Sequence, residues 1–529
     1  MTFDLLVKHG TVVDGTGAAR VAADVGIRGG RISAMAPGLT GEARQEIDAT
    51  GRIVAPGFID VHTHSDFTLL NVPGADSKVR QGITTEVVGN CGFSPAPVSS
   101  QTLGLLKEYV GFLNPHLPWS WRRLGEFYQR VSDQGCAMNI APLVGHGAVR
   151  IAAMGFDNRP PSANELTQMQ RLVDEAMEDG AVGLSSGLIY TPGCYGDTQE
   201  LVALAKVAAQ GGGVYATHMR GEGGTLEEAI TEALRIGEEA GIPVQISHLK
   251  ASGRDNWDKM ERALRMIEEG RARGIAVTAD IYPYIAGSTT MTSLFPAWTL
   301  EGGVEHFLTR LSDAATRQRI IDEVQGGREG WSRANGAVGW GDIMISSCQQ
   351  HQEFEGQTMA QIAATMGKDP AEAMMDFVLA EEAQVAIILF MMSEANVQRG
   401  IAHPVLMIGS DSLAPAAGQG GKPHPRTYGT FPRVLGKYVR EERLITLEDG
   451  VRKMTSMAAE KFGLSDRGVL AVGKAADMTI FDAATVIDLA TFENPHQYPA
   501  GIDYVIVNGQ IVVEYGEQHA IFPGKVLKK

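Results

Sequence analysis

Cysteine is scarce. Cys91, Cys136, Cys194 and Cys348 are the only four in 529 residues, and no two form a CxxC pair. That spacing excludes a disulfide scaffold and points to a reducing compartment, so a cytoplasmic protein is expected. No apolar run reaches the 18 or so residues of a membrane span. The first ten residues, MTFDLLVKHG, lack the basic and apolar regions of a signal peptide. Positive charge is in deficit, with a net charge of −16. Such a chain repels phosphate backbones and anionic bilayers, so neither nucleic acid nor membrane is an expected partner. An anionic small molecule could bind only through local cations or a metal.

What is present falls into three textures. Residues 1–56 alternate short apolar runs with Gly and Asp turns, as in FDLLVKHGTVVDGTG. Residues 465–529 repeat that texture, with a turn at Asn508-Gly509. The two ends are expected to pair into one small β domain. Between them, residues 57–464 alternate apolar strands with amphipathic helical segments. The expected strands are 57–62, 83–90, 138–144, 181–186, 214–218, 244–248, 276–282 and 404–410. Eight such alternations predict a parallel (β/α)8 barrel, whose site lies at the C-terminal ends of its strands. The interval 285–403 is too long for one crossover and reads as an insertion, either a cover for the site or an elaboration of the barrel wall.

The expected strand ends carry an unusual set of side chains. GFIDVHTHSD places His62 and His64 together, and ITTEVVGNCG brings Cys91. VYATHMRGEG brings His218, VQISHLKASG His248, and PVLMIGSDS Asp411. Each alone is weak, since a strand-end histidine is more often hydrogen-bonded than metal-bound. Together they supply six potential ligands at equivalent topological positions. This mix of imidazole, thiolate and carboxylate suits zinc. His146, in LVGHG, reads as structural.

These segments, with GNCGFSPAP, SSGLIYTPG, DIYPYIAGST and HPRTYGTFPR, resemble the amidohydrolase superfamily. Within it they resemble the N-acyl-D-amino-acid deacylases, or D-aminoacylases. Many binuclear members bridge two metals through a carboxylated lysine after strand four, but here that strand reads AVGLSSGL and has none. The resemblance implies that Cys91 contributes instead, in a tight zinc site with His218 and His248. A second, weaker site would involve His62, His64 and Asp411.

The resemblance further implies hydrolysis of N-acyl-D-amino acids by metal-activated water, with Asp411 moving the proton. The α-carboxylate of such a substrate needs a cationic clamp. Lys250, Arg426 and Tyr282 are expected to serve it, with Tyr190 and Ser288 as further hydrogen-bonding groups. Two apolar stretches of the insertion, TSLFPAW and LFMMSE, suggest an acyl or side-chain pocket. A cyclic-amide hydrolase of the hydantoinase or dihydroorotase kind is the alternative, weakened by the missing lysine. GLSSG matches the serine-hydrolase elbow, and chain order permits Ser185, Asp411 and His424 as a triad. However, Pro192 and Gly193 follow where a helix should start.

Overall fold

The computed structural model describes residues 2–113, 116–325, 338–416, 418 and 420–528. Eight parallel strands form the centre: β1 (Phe58–Asp60), β2 (Ile83–Val88), β3 (Asn139–Gly145) and β4 (Gly183–Gly187). β5 (Val214–His218), β6 (Val244–Ile246), β7 (Val277–Ile281) and β8 (Leu406–Ile408) complete the set. Each strand pairs with its sequence neighbours, in the order β8-β7-β6-β5-β4-β3-β2-β1. β2, β3, β4 and β5 are buried at every position, as parallel strands covered on both faces must be.

The seam between β1 and β8 closes differently. There is no ladder between the strands themselves. The backbone N–H of Asp411 donates to the His62 carbonyl at 2.8 Å, and that of His64 donates to the Ser412 carbonyl at 3.1 Å. The barrel therefore closes at its C-terminal mouth, through the residues that carry the candidate ligands.

Helices cover the outside. Ala163–Glu178 starts at Ser162, which exchanges capping hydrogen bonds with Glu165, and it buries Met169, Val173 and Ala176. Leu226–Ala240 buries an apolar stripe that includes Leu226, Ile230 and Leu234, and ends at Gly241 in the left-handed region.

Strands from both ends of the chain share one nine-stranded sheet. Ile53–Pro56 joins them, parallel to Thr2–Val12 and antiparallel to Met478–Phe481. Leu5, Val25, Val54 and Ile480 pack in its own apolar core. The insertion between β7 and β8 holds a three-stranded antiparallel sheet. Ala386–Phe390 lies at its centre, between Ala286–Thr290 and Ile343–Ser347. The chain is thus a (β/α)8 barrel with a small β-sandwich domain and an insertion before the last barrel strand. No helix among the described residues is long and apolar enough to cross a membrane.

Candidate metal and substrate site

The six candidate ligands meet at the barrel mouth in two groups. His62, His64, Cys91 and Asp411 form one, and Cys91, His218 and His248 form the other; donor atoms within a group lie within 4.8 Å of one another. Cys91 belongs to both, so the two sites expected from the sequence share one sulfur. Its Sγ lies 3.2 Å from His62 Nε2, 3.7 Å from His218 Nδ1 and 3.6 Å from His248 Nε2. Asp411 Oδ1 lies 3.5 Å from His62 Nε2 and 3.3 Å from His64 Nε2. Zinc bonds of about 2.1–2.3 Å in a tetrahedron put ligand atoms about 3.4–3.8 Å apart. The donor set suits such an ion; the sulfur–nitrogen distances of 3.2–3.7 Å lie at or near this range, and His218 Nδ1 and His248 Nε2 stand closer, at 2.9 Å.

The backbone is strained to make this arrangement. Cys91, His248 and Asp411 have φ of 55°, 36° and 49°. Each is a non-glycine residue in the left-handed region, at a cost on the order of 1–3 kcal/mol. These residues follow the ends of β2, β6 and β8, where the chain must turn its side chains back toward the barrel axis.

Electrostatics favour the ligating forms. Burial would push the Cys91 thiol up, but the His62 charge and hydrogen bonds from His218 and His248 hold it well below the ordinary value. Burial likewise opposes ionisation of Asp411, yet Arg426 and His62 hold its carboxyl well below the usual range. Against burial, Asp411 and Cys91 lift His64 to about 9. A thiolate facing imidazolium groups is one whose protons a divalent cation can replace.

A surrounding layer of acids orients the histidines. Asp280 Oδ1 accepts from the His248 backbone N–H at 2.8 Å and lies 3.4 Å from His62 Nδ1. Glu222 Oε1 lies 2.9 Å from His248 Nδ1, a nitrogen that also lies 2.8 Å from Lys250 Nζ, so both hold the ring with Nε2 turned to the cluster. Asp60 Oδ1 accepts from the backbone N–H groups of Ser410 and His62. Lys78, fully buried, donates from Nζ to Asp60 Oδ2 at 3.2 Å, Ser410 Oγ at 2.7 Å and Ser412 Oγ at 2.8 Å. It grips both neighbours of Asp411 and ties β8 to β1 where the ladder is missing. Sequence reading missed all four residues. Glu222, Asp280 and Asp60 stand inside recognised motifs, at strand ends or four residues after a ligand. Lys78 carried no signal, because lysine is by default a surface residue.

The expected substrate groups gather on one side. Arg426 lies 2.8 Å from Asp411 Oδ2 through Nη1, stacks over the Tyr282 ring at 4.6 Å, and donates from Nη2 to the Ser288 carbonyl. Its Nε is buried without a hydrogen-bond partner among the described residues. Lys250 Nζ is held by Glu222 Oε1 at 2.6 Å, so much of its charge is already matched. Ser288 contributes its backbone carbonyl here. Tyr190 bonds Thr289 Oγ1 at 3.0 Å, and its ring meets the edge of His218 at 5.1 Å.

The serine-hydrolase arrangement does not form. Ser185 Oγ donates to the Gly89 carbonyl and accepts from Gly92 N–H. His424 is occupied on both ring nitrogens, by the Ala286 carbonyl and the Arg426 N–H. His146 lies in a separate buried network with Glu200 and Arg150.

Known proteins resemble this chain over nearly its full length. A model of the amidohydrolase family, Amidohydro_3, matches residues 45–513. The chain is 40% identical to N-acyl-D-glutamate deacylase from Alcaligenes xylosoxydans xylosoxydans, over 99% of this chain and 96% of that protein. It is 37% identical to D-aminoacylase from the same organism, over 100% and 98%. A crystal structure of N-acyl-D-glutamate deacylase from Bordetella bronchiseptica, complexed with zinc and a phosphonate inhibitor, superposes with a TM-score of 0.85. That pair is 37% identical and covers 100% of both chains.

Proposed function

This chain belongs to the amidohydrolase family, and from that premise we propose that it is a metal-dependent hydrolase of the amide bond in N-acyl-D-amino acids. The products are a carboxylate and a free D-amino acid. The observation that carries the reading is the single thiolate shared by two ligand groups, beside an arginine with an unpartnered donor. The D configuration rests on the relatives alone.

Cys91, His218 and His248 would hold one zinc tightly, and His62, His64 and Asp411, with the shared sulfur, a weaker second. A bound zinc supplies Lewis acidity, easing water ionisation near neutral pH and polarising the scissile carbonyl. The chain's own residues do the rest. Arg426, through its free Nε and its face on Tyr282, binds the substrate α-carboxylate, and Lys250 adds positive field. Asp411 takes a proton from the attacking water as the water oxygen bonds to the carbonyl carbon. When the C–N bond breaks, its electron pair stays on nitrogen and Asp411 returns that proton there.

The cyclic-amide alternative loses ground because β4 offers no lysine and its place near both groups is taken by Cys91. Dialysis against a chelator, followed by zinc, tests the proposal on paired N-acetyl-D- and N-acetyl-L-amino acids. Activity should vanish, return with zinc, and be confined to the D series. Full activity in metal-free protein would refute it.

A further inference from the structure

A cavity with an aromatic wall sits beside the ligand cluster. It has a volume of about 50 Å³ and is walled by Phe93, Tyr109, Phe156, Tyr190 and Phe295, with Leu300 contributed by the insertion. Two of these rings also face the site. Phe93 meets the edge of His64 at 5.9 Å, and Tyr190 meets His218 at 5.1 Å. Its wall therefore touches one histidine of each ligand group.

The substrate has a direction fixed by the cation. Arg426 Nη2 bonds the carbonyl of Ser288. Tyr190 bonds the side chain of Thr289, and Thr290 lines the cavity. Two residues of extended strand separate the cation from the cavity, roughly 7 Å. An N-acyl amino acid whose carboxylate lies on Arg426 and whose carbonyl lies over the ligand cluster sends its acyl chain the other way, toward Phe93 and Tyr190. Neither lysine nor arginine lines the cavity. Its one acid, Glu108, accepts from the Val304 N–H. A second negative charge would meet no cation there, only Glu108 and the hydroxyl and amide groups of Thr191, Thr290, Thr292, Ser293 and Gln384.

Resting on the deacylase reading, we infer that this cavity is an acyl-chain subsite, which selects uncharged aliphatic acyl groups longer than acetyl. The methyl of an acetyl group reaches only the two outer rings. A cavity of this volume takes a few water-sized groups, enough for the two further carbons of a butyryl chain. Each buried methylene is worth roughly a fourfold gain, so butyryl should exceed acetyl in kcat/KM by on the order of tenfold.

The test keeps one D-amino acid and varies the acyl group through acetyl, propionyl, butyryl, hexanoyl and succinyl on the zinc-loaded enzyme. Expected are a rise to butyryl and a loss of at least about tenfold for succinyl, whose terminal carboxylate would lie beside Glu108 in a cavity with no cation. Leu300→Phe should shorten the preferred chain toward acetyl, and Leu300→Ala should lengthen it toward hexanoyl. A misfolded variant cannot move the preference in both directions. Equal rates on acetyl and butyryl, unaltered ratios in both variants, or ratios that follow the amino-acid side chain instead would overturn the subsite. No turnover on any N-acyl-D-amino acid, acetyl included, would strike the deacylase reading itself.

Discussion

Replacing Lys78 by Met removes one buried cation from between two buried carboxylates, and the consequence can be worked out. Lys78, Asp60 and Glu86 are all fully buried, with Lys78 Nζ 3.2 Å from Asp60 and 3.1 Å from Glu86. Breaking such a pair by removing one partner costs about 3–5 kcal/mol. Protonation can relieve part of it. Burial already lifts the Glu86 carboxyl to about 7 against the pull of Lys78, whereas an unfolded glutamate titrates near 4.3. The folded state therefore holds a proton that the unfolded state has lost between those values, and stability declines as pH rises across them. In wild type that decline ends near pH 7. Without Lys78 the Glu86 value climbs further, so the decline continues upward at as much as about 1.4 kcal/mol per pH unit. The deficit of Lys78→Met near pH 6 should thus be chiefly that of leaving Asp60 unpaired, and it should grow by about 2 kcal/mol by pH 8.5. Urea midpoints followed by tryptophan fluorescence at several pH values measure it. Adding Glu86→Gln should flatten the pH dependence and restore much of the stability. Because Lys78 also holds Ser410 and Ser412 beside Asp411, kcat should fall in folded Lys78→Met. A deficit below about 1 kcal/mol that ignores pH would refute both the buried-charge reasoning and the role given to the seam.

Asp411→Asn should keep most of its zinc by metal analysis, through Cys91, His218 and His248, while kcat drops by about 10²–10⁴ as expected for a lost proton carrier. Cys91→Ser should instead empty both groups, because their shared ligand is gone; retained zinc in that variant would contradict the shared-sulfur geometry. Arg426→Ala should raise KM by roughly 10–100-fold, and Arg426→Lys should not rescue it, since a point charge replaces a planar fork. Glu222→Gln should weaken zinc affinity by about 10–100-fold in competition with a chromogenic chelator.

The barrel was legible because each strand is a short apolar run ending in polar chemistry. VYATH was expected over 214–218 and spans those residues. The last strand was expected over 404–410 but pairs only at Leu406–Ile408, because Asp411 must leave the ladder in a left-handed conformation to face the cluster. The ligands were legible for the same topological reason. Contacts between segments remote in the chain were not. The pairing of Arg426 with Asp411, the capture of Lys250 by Glu222, and the grip of Lys78 on residues more than three hundred positions away join segments whose spacing carries no period. The insertion's apolar runs were visible, but their assembly into an antiparallel sheet, with Ala386–Phe390 in the middle, is a choice of partners that no local pattern encodes.

The shared sulfur shows how a short side chain can occupy a place that a long one fills elsewhere. A lysine reaches a metal pair from a distant backbone; a cysteine has one carbon between backbone and sulfur, so the chain itself must come close. The loop after β2 does so by packing its backbone against the ends of β3 and β4. A Cβ added at Gly92 would lie 2.9 Å from the Gly187 backbone nitrogen, and one at Gly187 would lie 2.0 Å from the Cys91 carbonyl oxygen. Both contacts are too short for any side chain, so glycine is required at these positions for Cys91 to sit where it does. The same closeness explains why β4 ends in glycine: its last residue, Gly187, lets the neighbouring loop descend. Ser185, which imitates the nucleophile of an elbow, is therefore part of the device that delivers the thiolate, holding the loop through Gly89 and Gly92.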